Sequence, residues 1–267
     1  MKTIDVLIFG GQSNMQGQSE RLSECKIVPM AWEYRYLSDT LIPLQNPVGE
    51  NIRCDGTQGE EVTPSTDIAA WLADHALGAA CYGNTNLVPA FCRAYTETTE
   101  RQVIAVHAAK GSTCVAQWLP GGTEYRVLRD KASAAVMRAR REGYGIGGVY
   151  FIWLQGESDA LLSTSTADYQ AQLRILADAL HADLGMDAFG IIRVGRFAGD
   201  ARDDAILLAQ DEICRTNEDF WMLTDIAAEL NRQSEYMNPN VAGHYSAAGL
   251  ELLGRVAGEA LAKAVRE

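Results

Sequence analysis

Five short apolar runs alternate with helical patterns along this chain, and that alternation constrains the fold more than any other feature. The runs cover residues 4–9, 103–109, 149–154, 189–194 and 221–224. Each is short and rich in Val, Ile, Leu or aromatics, as buried strands are. Between them, 86–98, 124–141, 166–184, 203–216 and 246–265 carry helical spacing, and 67–80 reads as a helix or a pair of helical turns. Strand and helix in alternation predict a parallel sheet with helices on both faces. The expectation is therefore one three-layer α/β/α domain over residues 1–267, with a mostly parallel five-stranded sheet. The stretch from about 19 to 64 fits neither period for long and carries Pro29, Pro43, Pro47 and Pro64. It reads as an irregular insertion over the sheet edge. Trp32, Tyr34, Tyr36, Leu37, Ile42 and Leu44 within it call for burial.

A parallel sheet gathers the carboxyl ends of its strands along one edge, where ligands bind. Polar groups stand beside glycines at three of those ends. The first run leads into Gly10-Gly11-Gln12-Ser13-Asn14-Met15-Gln16-Gly17, where the glycines break the strand pattern. Ser13 is placed there either as a nucleophile or as a helix cap. No lysine follows for a phosphate-binding loop, the glycine spacing is not that of a dinucleotide site, and Met15 stands where a nucleophile elbow has glycine. The second run leads to Lys110-Gly111-Ser112-Thr113, and the third to Gln155-Gly156-Glu157-Ser158-Asp159. His244 lies near the C-terminus in Gly243-His244-Tyr245-Ser246, just ahead of the last helix.

Acyl transfer to water needs a nucleophile, a base within hydrogen-bond reach and donors for the oxyanion. Ser13 and His244 supply the first two. The Ser13 N–H, the Gly111 N–H and the Gln155 side-chain amide are the candidate donors. Gln12 and Asn14 flank the serine as candidate substrate contacts. Trp118 stacks on a sugar or packs the Gly111 loop, and Arg196 meets a sugar or a surface acid. Glu157 and Asp159 read as paired acids or as helix-start residues. His107 reads as a core histidine, and His75 and His181 as surface residues of helices.

These blocks resemble the sialate O-acetylesterase branch of the SGNH/GDSL hydrolases. Gly11-Gln12-Ser13-Asn14-Met15, Gly111-Ser112-Thr113 with Trp118, Trp153-Leu154-Gln155-Gly156-Glu157-Ser158-Asp159 and His244-Tyr245-Ser246 fall in the family's order across nearly the whole chain. The resemblance implies a flavodoxin-like sheet (the SGNH hydrolase fold) and a Ser–His centre that removes acetyl groups from sugar hydroxyls with no metal or other cofactor, and it too places Gly111 and Gln155 at the oxyanion. One position departs. The family carries an aspartate three residues before the histidine, and here that residue is Val241. The candidates for orienting His244 are then a backbone carbonyl, Glu157, Asn238 or Asn240. The rival to an esterase is a glycan-binding domain that kept the fold after losing that acid.

The formal net charge of -12 argues against a nucleic-acid partner and against an anionic membrane surface. Cys25, Cys54, Cys81, Cys92, Cys114 and Cys214 form no C-x-x-C pair and read as free thiols in a reducing compartment. With no secretory leader pattern, the expected location is cytoplasmic.

Overall fold

The computed structural model describes residues 2–20, 25–49 and 85–266. Seven strands form one sheet: β1 (Thr3–Gly11), β2 (Ala31–Arg35), β3 (Thr40–Pro43), β4 (Gln102–His107), β5 (Gly145–Leu154), β6 (Ala188–Ile192) and β7 (Phe220–Thr224). Their order is β3-β2-β4-β1-β5-β6-β7. Among the described strands of this sheet, only the β2–β3 pairing is antiparallel. The five runs read from the sequence, in the order β4-β1-β5-β6-β7, give the flavodoxin-like arrangement, whose ligand crevice opens where the strand order reverses. That point lies between β1 and β5.

The helices are α1 (Ser13–Gln16), α2 (Val88–Thr99), α3 (Thr123–Arg141), α4 (Glu157–Leu161), α5 (Thr166–Leu184), α6 (Ala201–Thr216), α7 (Ala227–Leu230) and α8 (Ala247–Arg266). One layer is α2 packed on α8; the other is built from α3, α5 and α6. α8 buries Leu250, Leu253, Ala257 and Leu261, its period of three and four residues turned to the core. Gly254 and Gly258 lie against the backbone of Leu87 and Phe91, so a side chain at either would force α2 and α8 apart. α5 starts where the Ser165 hydroxyl accepts the Asp168 N–H and ends at Gly185, in the left-handed region.

Three expectations need correction. The sheet has seven strands, because the stretch read as irregular supplies β2 and β3 at its edge. Tyr34 and Leu44 are buried as that stretch required, while Trp32, Tyr36, Leu37 and Ile42 are half-buried. Gly10 and Gly11 do not break β1. They remain in register with Trp153 and Leu154 of β5, and a side chain on Gly11 (φ 136°) would run into the Leu154 carbonyl. β4 ends at His107, two residues early, as the chain turns toward Gly111. The expected helical stretch 67–80, with His75, lies outside the described residues, as do Cys54 and Cys81.

Candidate active site

Ser13 opens α1 directly after β1, and its surroundings fix it tightly. The Gln12 N–H donates to the Leu154 carbonyl (3.1 Å) and the Gly17 N–H to the Ser13 carbonyl (2.9 Å). Gln12, which caps α1, makes no side-chain cap bond, and the Ser13 hydroxyl is not a cap either. Ser13 Oγ lies 2.8 Å from His244 Nε2. Both residues are buried to within a tenth of full exposure. Among the described residues no acceptor meets the Ser13 N–H.

His244 is oriented from the opposite side of its ring. Nδ1 lies 2.9 Å from the Ala242 carbonyl. A carbonyl only accepts, so Nδ1 carries the proton and neutral Nε2 is left as the acceptor for the serine O–H. Of the candidates for this role the structure selects the backbone. Glu157 accepts from Asn14, the Asn238 side chain donates to the Gln18 carbonyl and accepts the Asn240 N–H, and among the described residues the Asn240 side chain makes no hydrogen bond to His244. Burial lowers the His244 pKa from 6.5, against a smaller opposing effect of the Ala242 carbonyl. Phe197 stands edge-on to the imidazole, ring centres 5.9 Å apart. Its loop is pinned by buried Asp203, which accepts the N–H groups of Phe197, Ala198 and Gly199. Gly243 (φ 75°) backs onto Phe197, leaving no room for a side chain.

The β4 loop is tied to the end of β1 by Ala108 N–H to Phe9 carbonyl (2.9 Å) and Lys110 N–H to Gly11 carbonyl (2.8 Å). This brings Gly111 beside the serine: a Cβ on Gly111 would sit 3.6 Å from Ser13 Cβ. The Gly111 N–H donates to Gln16 Oε1 at 2.7 Å.

Gln155 is not where the oxyanion reading put it. It is fully buried, and its Nε2 donates to Asp159 Oδ2 (2.6 Å), the Thr113 carbonyl (3.0 Å) and Gln12 Oε1 (3.2 Å). Its Oε1 accepts from the Tyr169 hydroxyl. An amide so engaged has no proton left for a substrate. Gln12 and Asn14 are corrected likewise, from substrate contacts to buried braces. Gln12 Oε1 also accepts the Ser158 N–H. Asn14 Nδ2 donates to Glu157 Oε1 (2.8 Å) and, longer, to the Gly243 carbonyl (3.4 Å), while its Oδ1 accepts the Tyr245 N–H (3.3 Å). One carboxamide thus joins the serine turn, the start of α4 and the histidine loop. Trp118 is fully buried, donates Nε1–H to Thr113 Oγ1 and stands edge-on to Trp153, so it packs the Gly111 loop and offers no face to a sugar. Arg196 pairs with Asp204 on the surface.

Glu157 and Asp159 open α4, and both are buried. Asp159 accepts from Gln155, the Val115 N–H and Thr164 Oγ1. Glu157 Oε2 meets no donor among the described residues. Burial pushes its carboxyl up to about 7, outweighing the Asn14 hydrogen bond that opposes it.

Over residues 3–262 the chain matches the family described as carbohydrate esterase, sialic acid-specific acetylesterase. The chain belongs to this family. Solved structures agree on the fold. A protein from Arabidopsis thaliana superposes with a TM-score of 0.66 at 17% identity, over 97% of each chain. A carbohydrate acetylesterase from Xanthomonas citri gives 0.56 at 16% identity, over 98% of this chain and 57% of its own. A GDSL-like lipase from Parabacteroides merdae gives 0.52 at 12%, over 97% and 96%. No curated protein sequence matches the chain. The fold is that of the SGNH hydrolases. Among the described residues no helix is long and apolar enough to cross a membrane.

Sequence reasoning missed Ala242, Gln16, Phe197 and Asp203. A carbonyl that replaces a side-chain acid leaves no mark in the sequence. Asp203 had one, since it stands among the acids of a helix start, but its grip on the Phe197 loop needed the fold.

Proposed function

We propose that this protein is a serine-dependent carbohydrate O-acetylesterase of the sialate or acetylxylan type. The observation that carries the reading is the relay Ser13 Oγ to His244 Nε2 (2.8 Å), with His244 Nδ1 against the Ala242 carbonyl (2.9 Å). Ser13 Oγ attacks the acetyl carbonyl as its proton passes to His244 Nε2. The ester C–O bond then breaks, and the same proton goes to the departing sugar oxygen. Water, deprotonated by His244, attacks the acetyl-serine, and the proton returns to Ser13 as acetate leaves. The Ser13 and Gly111 N–H groups face the oxygen that becomes negative. Family membership and the sugar-ester activity named for the Xanthomonas citri protein support an acetylated carbohydrate as the substrate.

Hydrolysis of p-nitrophenyl acetate by the wild type and by Ser13→Ala tests the chemistry. Acetate release from O-acetylated sialic acid, acetylated xylan and acetylated chitin-derived sugars then ranks the substrates. The expected outcome is turnover that the Ser13→Ala variant loses while keeping its fold. Equal turnover by both proteins removes Ser13 as nucleophile. Sugar binding with no turnover by either establishes the glycan-binding reading instead.

A further inference from the structure

Five carboxamides lie around the site, and the two on the Gly111 side, Gln16 and Gln18, are half-buried. Gln12, Asn14 and Gln155 are buried, and each holds several partners. Gln16 is half-buried, and its side chain makes a single hydrogen bond among the described residues, Oε1 to the Gly111 N–H at 2.7 Å. Its backbone is anchored, since the Gln16 N–H donates to the Gln12 carbonyl (2.8 Å). The side chain is therefore a tether with one attachment. Gln16 Oε1, Gln18 Nε2 and Ser13 lie on the same face of Gly111: a Cβ there would be 2.9 Å from the first, 3.3 Å from the second and 3.6 Å from Ser13 Cβ. An amide oxygen held beside the nucleophile by the very donor proposed for the oxyanion stands in for a substrate carbonyl oxygen.

We infer that Gln16 is a positioning residue that acts through Gly111, its carboxamide oxygen competing with the substrate carbonyl oxygen for the Gly111 N–H. The inference rests on the serine-esterase reading and adds how the oxyanion donor is used. A neutral ester oxygen gains little by displacing a neutral amide oxygen, since one ordinary hydrogen bond replaces another. An oxyanion displaces it readily, because a charge-assisted bond is roughly twice as strong. Displacing Gln16 therefore costs the oxyanion about one ordinary hydrogen bond: the stronger bond still wins the donor, but acylation measured from the free enzyme is slower than it would be without the competing oxygen.

The test is the rate at which paraoxon labels Ser13, read by intact mass. Ser13 Oγ forms a bond to phosphorus, its proton passes to His244, and p-nitrophenolate leaves. Wild type, Ser13→Ala, Gln16→Met and Gln16→Glu are compared. Gln16→Met keeps the length of the side chain and removes the competing acceptor, so labelling should speed up by about two- to tenfold, the worth of one net hydrogen bond. Gln16→Glu puts a charged acceptor on the same N–H, so labelling at pH 8 should slow by roughly tenfold or more and recover as the introduced carboxylate is protonated. A side chain that merely holds the Gly111 loop in place predicts the opposite for methionine, slower labelling. Labelling by Gln16→Met at or below the wild-type rate overturns the inference. Failure of wild type to label, or equal labelling of Ser13→Ala, overturns the serine reading itself, so the two failures are told apart.

Discussion

Where the family resemblance implies an aspartate beside His244, the structure offers the Ala242 carbonyl, and under the proposed function that exchange sets the ring's chemistry. The Ala242 oxygen fixes the tautomer as well as an acid would, but it is a dipole and stabilises imidazolium less. With burial lowering the pKa, the ring stays neutral to lower pH. The acid limb of kcat/KM should accordingly lie below pH 6.5, and a pH–rate profile with a midpoint above that value contradicts this account of the histidine. Val241→Asp should change turnover by less than about tenfold, because Nδ1 already has its acceptor and only charge stabilisation is left to gain; steady-state kinetics of the variant decide. Glu157 allows a sharper prediction. An acid with a folded pKa near 7 against 4.5 binds more protons folded than unfolded, so its contribution is fully present below pH 4.5 and is lost as pH rises through 7. Glu157→Gln keeps an acceptor for Asn14 and removes that loss. It should raise stability by on the order of 3 kcal/mol at pH 8 and by little at pH 4.5, as denaturant unfolding at the two pH values would measure. The sequence reading paired Ser13 with His244, which lie 2.8 Å apart, because the proposed roles of nucleophile and base have few chemical alternatives at a strand end. It misread Gln155, Gln12 and Asn14 because an amide has the same composition whether it faces a pocket or braces the turn beneath one.

Gln155 follows the end of β5, and the elements it joins show what its removal does. Its amide reaches α4 through Asp159, the β4 loop through Thr113 and the start of α1 through Gln12. Tyr169 of α5 donates to its Oε1, and Gln210 of α6 to its backbone carbonyl. Gln155→Ala should therefore act first on stability, leaving several fully buried partners unsatisfied at a cost of roughly 3 kcal/mol or more. A variant with wild-type stability and only slower turnover would return Gln155 to the oxyanion. The longer elements were legible because their patterns are sustained: Thr166–Leu184 was read to the residue, helped by Ser165 and Gly185 at its ends. β2 and β3 were not, since five and four residues give too short a period and Pro43 reads as a breaker. At an edge, where β3 ends, a proline costs the sheet little.

Across the molecule, β2, next to the sheet edge, reaches the Ser13 turn through a chain of buried contacts. Glu33 and Arg35 of β2 are fully buried and paired at 3.0 Å. Glu33 Oε1 accepts the Gly49 N–H (2.8 Å), and Arg35 Nη1 donates to the Gly49 carbonyl. Gly49 backs onto the His107 ring, so closely that a Cβ there would lie 2.9 Å from Nδ1. His107 Nε2 in turn meets the Met15 carbonyl at 3.2 Å, two residues beyond Ser13. His107 is thus a core histidine, and it is the link between the edge and the turn that carries the serine. Removing Arg35 takes away the buried cation paired with Glu33 at 3.0 Å and the donor to the Gly49 carbonyl, so Arg35→Met should cost about 3–5 kcal/mol. Replacing both, Glu33→Leu with Arg35→Met, should cost less than the single change, since the carboxylate that faced Arg35 is removed along with it. The functional consequence separates a passive edge from a buttress. If β2 supports the serine turn through Gly49 and His107, the folded fraction of Arg35→Met labels with paraoxon more slowly than wild type, under conditions where circular dichroism shows both proteins native. If its folded fraction labels at the wild-type rate, the edge strands stabilise the sheet and leave the position of Ser13 to β1, β5 and Asn14.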